Sequence, residues 1–453
     1  MQDTPARAPR LGLWGALHEE RLDVALAARV TRDQLGRRLP GWSISLFAPR
    51  DHLPRLDPGG RPVALGVWTP DRLAELAAEL DGVIVGPGQL VTVSGAGWLD
   101  PGDDAGRFFI EGLADAGRAV PMVWQGISVP RDLAPDEEAR VRKAMASRAA
   151  ISVTDDASGR RLEALGASVD VELIPHPAIL AGETFPAEVL ERRLRYLRTM
   201  GWYPEDRPAL VVRPASGWDP AATAGAVARV AEGHGMTPVV LAGGDQEAGA
   251  AEALAGELGP GTLLLGPEAT VEDAVAAVAH AGGLMGASVA CAAVALAHDR
   301  PHVLLGERGQ AQEGFARMIG RPEAVVVDPP AIPEAFAAAV SWSGRGAAAE
   351  RLRLRAADHF DDLARLLRRA VPDARPEPEE RIAALEEELS ALRAAYAVRS
   401  RRLVLDATAF ADDLQAQRLP MRRAEELLRS RAFRYTRWLR SLVLSMSRLG
   451  RRR

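Results

Sequence analysis

Ala209-Leu210-Val211-Val212 and Pro238-Val239-Val240-Leu241 bracket a longer alanine-rich stretch of helical period. Two short, mostly β-branched runs separated by one helix length form a βαβ unit, because parallel strands can be joined only by a long crossover. The same alternation continues on the C-terminal side, with strands expected at Thr262 to Leu265, Gly283 to Met285, His302 to Leu305 and Ala324 to Val327. An earlier series offers Leu11 to Trp14, Ser43 to Phe47, Val63 to Val67, Gly82 to Val85, Pro121 to Trp124, Ala150 to Val153 and Val169 to Ile174. The pattern therefore predicts an α/β protein with two mostly parallel sheets.

Between the two series lies Phe185 to Asp206, with a helical arginine-rich segment at Leu190 to Arg198 and a turn at Gly201-Trp202-Tyr203-Pro204. The expected organisation is an N-terminal α/β domain over 1–184, a connector over 185–206 and a second α/β domain with closing helices over 207–371. A linker with short coiled-coil-like helices follows over 372–420, and then a basic amphipathic tail over 421–453.

Composition bounds the function. The chain has 453 residues, 47% hydrophobic and 26% charged, enough for two or three domains with substantial cores. One cysteine, Cys291, excludes an intrachain disulfide framework and a Cys-based zinc site. The eight histidines show no metal-ligand spacing, so neither a metal nor a cofactor is expected. No apolar run reaches ~18 residues, and Met1 to Arg10 lacks a signal core, which places the expected location in the cytoplasm. Lys143 is the single lysine, so any clamp for a phosphate or carboxylate must be built from arginine.

The net charge of −5 conceals an asymmetry. Residues 421–453 hold eleven arginines and two glutamates, a local +9; removing them from 56 basic and 61 acidic residues leaves 45 and 59, or −14. Leu439, Leu442, Val443, Met446 and Leu449 repeat at helical spacing near Phe433, Tyr435 and Trp438. A basic helix with one apolar face fits an anionic membrane surface, here the inner face of the cell membrane, and fits an acidic protein patch as well. Nucleic acid is not an expected partner. Ile382, Leu385, Leu389, Leu392 and Tyr396 suit either a homodimeric coil over 382–403 or a helix docked on the body.

Two α/β domains enclose a cleft, and ligands of open α/β sheets bind beyond the carboxyl ends of the strands. The candidate residues are therefore those that follow strands: Gly86 and Gly88, Gln125, Thr154 and Asp155 in the first series, and Arg213, Asp245, Gly286, Ser288 and Glu307 in the second. Gly86-Pro87-Gly88 lets backbone N–H groups approach an anion. Arg213 is the guanidinium best placed to clamp an oxyanion, or else it is paired with an acid. Asp245 reads more readily as a first-turn acid.

Residues 11 to about 345 resemble the polysaccharide pyruvyl transferase family. Asp81 to Leu90, Ile151-Ser152-Val153-Thr154-Asp155-Asp156-Ala157-Ser158, Leu165-Gly166 with Val171 to Pro177, Leu210-Val211-Val212-Arg213-Pro214, Thr270 to Gly283, Met285 to Pro301 and Phe315 to Gly320 follow that family's segments in order. The resemblance implies two Rossmann-like domains in a GT-B-like arrangement. It also implies transfer of a pyruvyl group from phosphoenolpyruvate to a sugar hydroxyl of a cell-surface polysaccharide or its precursor. That chemistry needs cations for phosphate and carboxylate and an acid for the enol carbon.

The chain departs from the family pattern at the chemistry. Gly286-Ala287-Ser288 stands in place of Arg-Leu-His and Val153-Thr154-Asp155 in place of Val-Arg-Asp, while the position of an expected lysine falls near Ala311. If the chain is active, Arg213 is the anion clamp, and His176 or His18, with Ser288 at the replaced motif, are the catalytic candidates. Two other functions fit the same residues: an inactive relative serving as a membrane-surface scaffold in glycan assembly, and a GT-B glycosyltransferase using a nucleotide sugar.

Overall fold

The computed structural model describes residues 8–14, 22–49, 63–65, 79–86, 88–89, 120–129, 133–146, 148–167, 169–215, 217–306 and 311–370. The chain divides into two compact units, Met1–Pro376 and Glu377–Arg453, and the described residues belong to the first. The coil at 382–403 and the tail at 421–453 lie outside the described residues, as do His18 and Glu307.

The first half of this unit contains β1 (Arg10–Trp14), α1 (Leu22–Arg38), β2 (Ser43–Pro49), β3 (Val63–Leu65), β4 (Gly82–Val85), β5 (Gly88–Gln89), β6 (Met122–Ser128) and α2 (Pro135–Met145). It continues with β7 (Ala150–Val153), α3 (Asp156–Ala164), β8 (Val171–Leu173), a 3-10 turn at Pro177–Leu180, α4 (Ala181–Thr184) and α5 (Ala187–Thr199). The second half contains β9 (Ala209–Arg213), α6 (Pro220–His234), β10 (Thr237–Leu241), α7 (Asp245–Leu258), β11 (Leu263–Leu265), α8 (Val271–Ala279), β12 (Gly283–Gly286) and α9 (Val289–Ala297). After these come β13 (His302–Leu305), α10 (Ala311–Met318), β14 (Val325–Val326), α11 (Ile332–Ser341) and the long α12 (Arg345–Ala370). Every expected strand is present, most with ends moved by one to three residues.

Both sheets are parallel. The first runs β3-β2-β1-β4-β6-β7-β8, with β5 paired to the end of β6, and the second runs β11-β10-β9-β12-β13-β14. Each chain path leaves its sheet on one side and resumes on the other. The order thus reverses between β1 and β4 in one sheet and between β9 and β12 in the other, and adjoining loops diverge there to leave a crevice at the strand ends. The central strands β1, β4, β9 and β12 are enclosed on both faces, so they read as unbroken apolar runs.

Local chemistry sets the helix ends. Asp219 accepts the Ala222 N–H at 2.9 Å to cap α6, Pro220 opens that helix, and Gly235 closes it at φ +63°. Thr270 and Asp273 form a reciprocal capping box on α8. The connector helix α5 then docks on α8: Arg193 grips Asp273 with two bonds of 2.7 and 2.8 Å, and the Tyr203 hydroxyl reaches the Ala277 carbonyl at 3.3 Å.

One apolar core runs through both halves. Ala178, Ile179 and Leu180 of the 3-10 turn meet α9 and α12, and this cluster continues into Leu11, Leu13 and Trp14 of β1. Helix α12, which the sequence assigned to closing the second domain, also returns to the first half. Leu367 lies against Gly82, Asp361 pairs with Arg38 at 2.6 Å, and the buried His359 meets Glu172 at 2.7 Å. Among the described residues no helix is long and apolar enough to cross a membrane.

His302 is buried beside Phe315 and Trp342, its Nδ1 on the Arg300 carbonyl at 3.1 Å. Burial, aided by Arg345 and Arg321, pushes its pKa down to about 4. As pH falls from about 6.5 toward 4 the unfolded chain binds a proton that the folded one refuses, so stability is lost across that window, by up to about 3 kcal/mol from this residue. Melting temperature measured against pH should fall more steeply for the native chain than for His302→Leu.

Candidate functional site

The crevice of the second sheet is built around Arg213. Arg213 is the last residue of β9 and sits opposite Gly286, the last of β12, so it stands at the reversal point itself. Its side chain is only 3% exposed. The guanidinium is gripped by Glu247 of α7 through Nε and Nη2 at 2.9 and 2.8 Å. Its Nη1 bonds Asp23 of α1, which comes from the other half, and lies 3.9 Å from the Cys291 sulfur. Burial works against this charge, but the carboxylates of Asp23 and Glu247 outweigh it and hold the pKa well above the ordinary arginine range.

Ser288 completes the group. It is the N-cap of α9, accepting the Cys291 N–H at 3.0 Å, while its hydroxyl donates to Asp23 Oδ1 at 2.5 Å. Both of its hydrogen-bonding directions are thereby used, so Ser288 holds and orients a carboxylate rather than presenting a free hydroxyl. A second bridge joins the halves nearby, from the Leu22 N–H at the start of α1 to the Gly243 carbonyl at 2.7 Å. Gly243 has no room for a side chain: a Cβ there would lie 2.1 Å from Arg213 Nη2 and 2.2 Å from Glu247 Oε2. A Cβ at Gly286 would crowd the Arg213 Cβ at 2.8 Å.

The sequence candidates fall into three places. Arg213, Gly286 and Ser288 come together. His176 joins them through the field of Asp23, and its Nδ1 accepts the Ala178 N–H at 3.2 Å, which leaves the ring proton on Nε2. Burial pushes this histidine down to about 4, only partly opposed by Asp23. It is neutral near pH 7 and can donate a hydrogen bond there, but it does not store the proton an imidazolium acid would deliver.

A second group lies at the ends of the first sheet. Gly86, at φ +120°, lets β4 pass close to β6, since a Cβ would sit 2.1 Å from the Gln125 carbonyl oxygen. The strand bulges at this point, where its pairing with β7 shifts between Trp124 and Ile127. Gln125 is fully buried, and among the described residues neither its Oε1 nor its Nε2 meets a hydrogen-bond partner, an arrangement that ordinarily costs about 1–3 kcal/mol. Gly88 pairs with Ile127 beyond the bulge.

Thr154 and Asp155 form the third group, both buried. Asp155 caps α3, taking the Ser158 N–H and hydroxyl at 2.8 Å each, which commits both carboxylate oxygens to the fold. Helix α10 of the second half closes over this loop, where a Cβ at Gly314 would meet the Asp155 Cβ at 2.6 Å. Asp245 is the first residue of α7, as expected of a first-turn acid.

Three residues of the central group escaped the sequence reading: Asp23, Glu247 and Cys291. Asp23 and Glu247 lie in the first turns of the helices that follow β1 and β10, beyond the residues that directly follow those strands. The buried Cys291 is held up in pKa by its enclosure despite the attraction of Arg213, so it remains a thiol. Chemically, the assembly seats an oxyanion: a guanidinium and the hydroxyl of a helix N-cap serine converge on one carboxylate.

Two Rossmann-like halves with a crevice between their strand ends and a final helix returning to the first half define the GT-B fold. No protein-family model and no curated protein matches this chain. Among solved structures it is similar to UDP-GlcNAc 2-epimerase from Neisseria meningitidis bound to UDP-GlcNAc, with a TM-score of 0.52 at 11% identity over 80% of this chain and 99% of that one. It is similar also to a glycosyltransferase from Rickettsia africae ESF-5, with a TM-score of 0.50 at 9% identity over 81% and 97% of the two chains. The UDP-GlcNAc 2-epimerase from Methanocaldococcus jannaschii gives 0.50 at 12% identity over 76% and 98%. At such identities the likeness is one of fold.

Removing the Arg213 charge leaves two carboxylates facing each other. Arg213→Met should destabilise the protein by about 3–5 kcal/mol in urea unfolding, and Arg213→Lys should recover little of this because an ammonium cannot span Glu247 bidentately.

Proposed function

We propose that this protein is a sugar-active transferase whose donor carries an anionic activating group, with a nucleotide-activated sugar the donor that the site suits best. One observation carries this reading: the Asp23 carboxylate, seated on Ser288 and Arg213 at the reversal point of the second sheet, marks a position built to hold an oxyanion. A diphosphate would use the same donors, together with the N–H groups that open α9. Neutral His176 would supply a hydrogen bond to the reacting sugar. The GT-B neighbours, one of them bound to UDP-GlcNAc, support the substrate class by analogy of fold.

Pyruvyl transfer from phosphoenolpyruvate is the second reading, favoured by the run of family-like segments from Asp81 to Gly320. It asks more of the site. Phosphoenolpyruvate brings a phosphate and a carboxylate that call for separate cations, whereas Arg213 is already balanced by two acids. The acid that must protonate the enol carbon is also hard to assign to a histidine with a pKa of about 4.

Thermal melting of the full chain with UDP-GlcNAc, other nucleotide sugars and phosphoenolpyruvate separates these readings, since a ligand at 100 times its Kd adds about 2.7 kcal/mol to the native state. The expected result is a rise of several degrees with at least one nucleotide sugar and none with phosphoenolpyruvate. The reverse result, with phosphate release when a sugar acceptor is added, would establish pyruvyl transfer in its place. No shift with any of them would leave the inactive scaffold.

A further inference from the structure

We infer that Asp23 is a resident competitor for the anion site, so that a ligand enters by exchanging its own oxyanion for the Asp23 carboxylate. The inference rests on the anionic-donor reading above and concerns how the same site is regulated.

The carboxylate occupies what a ligand needs. Asp23 accepts a hydrogen bond from the Ser288 hydroxyl at 2.5 Å and another from one arm of Arg213, leaving Glu247 to hold the other face of the guanidinium. The two acids differ in what they do. Glu247 is bidentate and comes from the same half as Arg213, so it fixes the guanidinium whether or not Asp23 is present. Asp23 comes from the other half, and it alone of the two also reaches Ser288.

The charges favour exchange over addition. Two carboxylates already share the one guanidinium, and a ligand phosphate brought beside them meets like charge in a poorly solvated place. Once the Asp23 carboxylate swings out, the remaining Arg213–Glu247 pair is neutral and an oxyanion finds both the Ser288 hydroxyl and the Nη1 arm open. The Asp23 side chain is the more exposed of the pair, at 17% against 3% for Arg213. The apolar core shared by the two halves need not open for a single side chain to turn aside. Because α1 and α9 belong to different halves, the exchange also breaks one of the polar ties between them.

Asp23→Asn tests this, with inorganic pyrophosphate as the probe. The variant keeps the Arg213–Glu247 pair, and Asp23→Ala provides a second form should the asparagine disturb folding; circular dichroism and melting confirm that each form is folded. Titration calorimetry on the full chain should show pyrophosphate binding at least about 10-fold more tightly to Asp23→Asn than to the native chain, with the gain lost on adding Ser288→Ala. Equal or weaker binding by both Asp23 variants, beside measurable binding to the native chain, would overturn the competitor role while leaving the anion site intact. Absence of binding to every folded form would instead remove the anion site, and the functional reading with it.

Discussion

A guanidinium with its side chain 3% exposed can be tolerated only if its charge is answered on the spot, and Arg213 is answered twice. Glu247 answers from helix α7 of the same half and Asp23 from helix α1 of the other. Burying an arginine with one partner removed is strongly unfavourable, so the positions of α1 and α7 are tied to the end of β9. The Leu22 to Gly243 bond, the Ser288 hydroxyl and the absence of a side chain at Gly243 all belong to this arrangement. An apolar core through the 3-10 turn, α9 and α12 also joins the halves. The ionic cluster fixes how their strand ends face each other.

That constraint follows from topology. Sheets whose order reverses between the first and fourth strands open a crevice where the adjoining loops part, and Arg213 and Ser288 flank that point in the second sheet. In many α/β proteins such a crevice is left to the ligand; here a side chain of the chain itself stands in it. The same economy of space marks the first sheet, where Gly86 and the bulge of β6 bring backbones together beside the enclosed Gln125. The two crevices differ chemically. One holds a guanidinium between two carboxylates, while the other presents a carboxamide that makes no hydrogen bond among the described residues.

Much of the fold was legible in the amino-acid sequence, because parallel strands buried on both faces are unbroken apolar runs between helical stretches. Runs such as Gly82 to Val85 and His302 to Leu305 could be bounded to the residue. The strand order was less accessible, since periodicity does not say which neighbour a parallel strand takes, and α12 gave no sign that it returns to the first half. Of the site, Arg213 and Ser288 were legible from their positions after strands. Their partners were not: Asp23 and Glu247 look like ordinary first-turn acids, and the contact between Asp23 and Ser288 spans 265 residues of sequence. Asp155 was misleading for the same reason in reverse, since a strand-end acid that caps the next helix has the sequence signature of a ligand-binding one. Electrostatic environment was invisible too, which is why His176 read as an acid and stands as a neutral ring.

The claim on which everything else rests is that Asp23 and Arg213 are coupled across the crevice. A double-mutant cycle with Asp23→Asn and Arg213→Met, read by urea unfolding, measures that coupling directly. The double variant should be more stable than the two single losses would add up to, with an interaction energy of about 1.5–3 kcal/mol. Additivity of the two losses to within about 0.5 kcal/mol would contradict it.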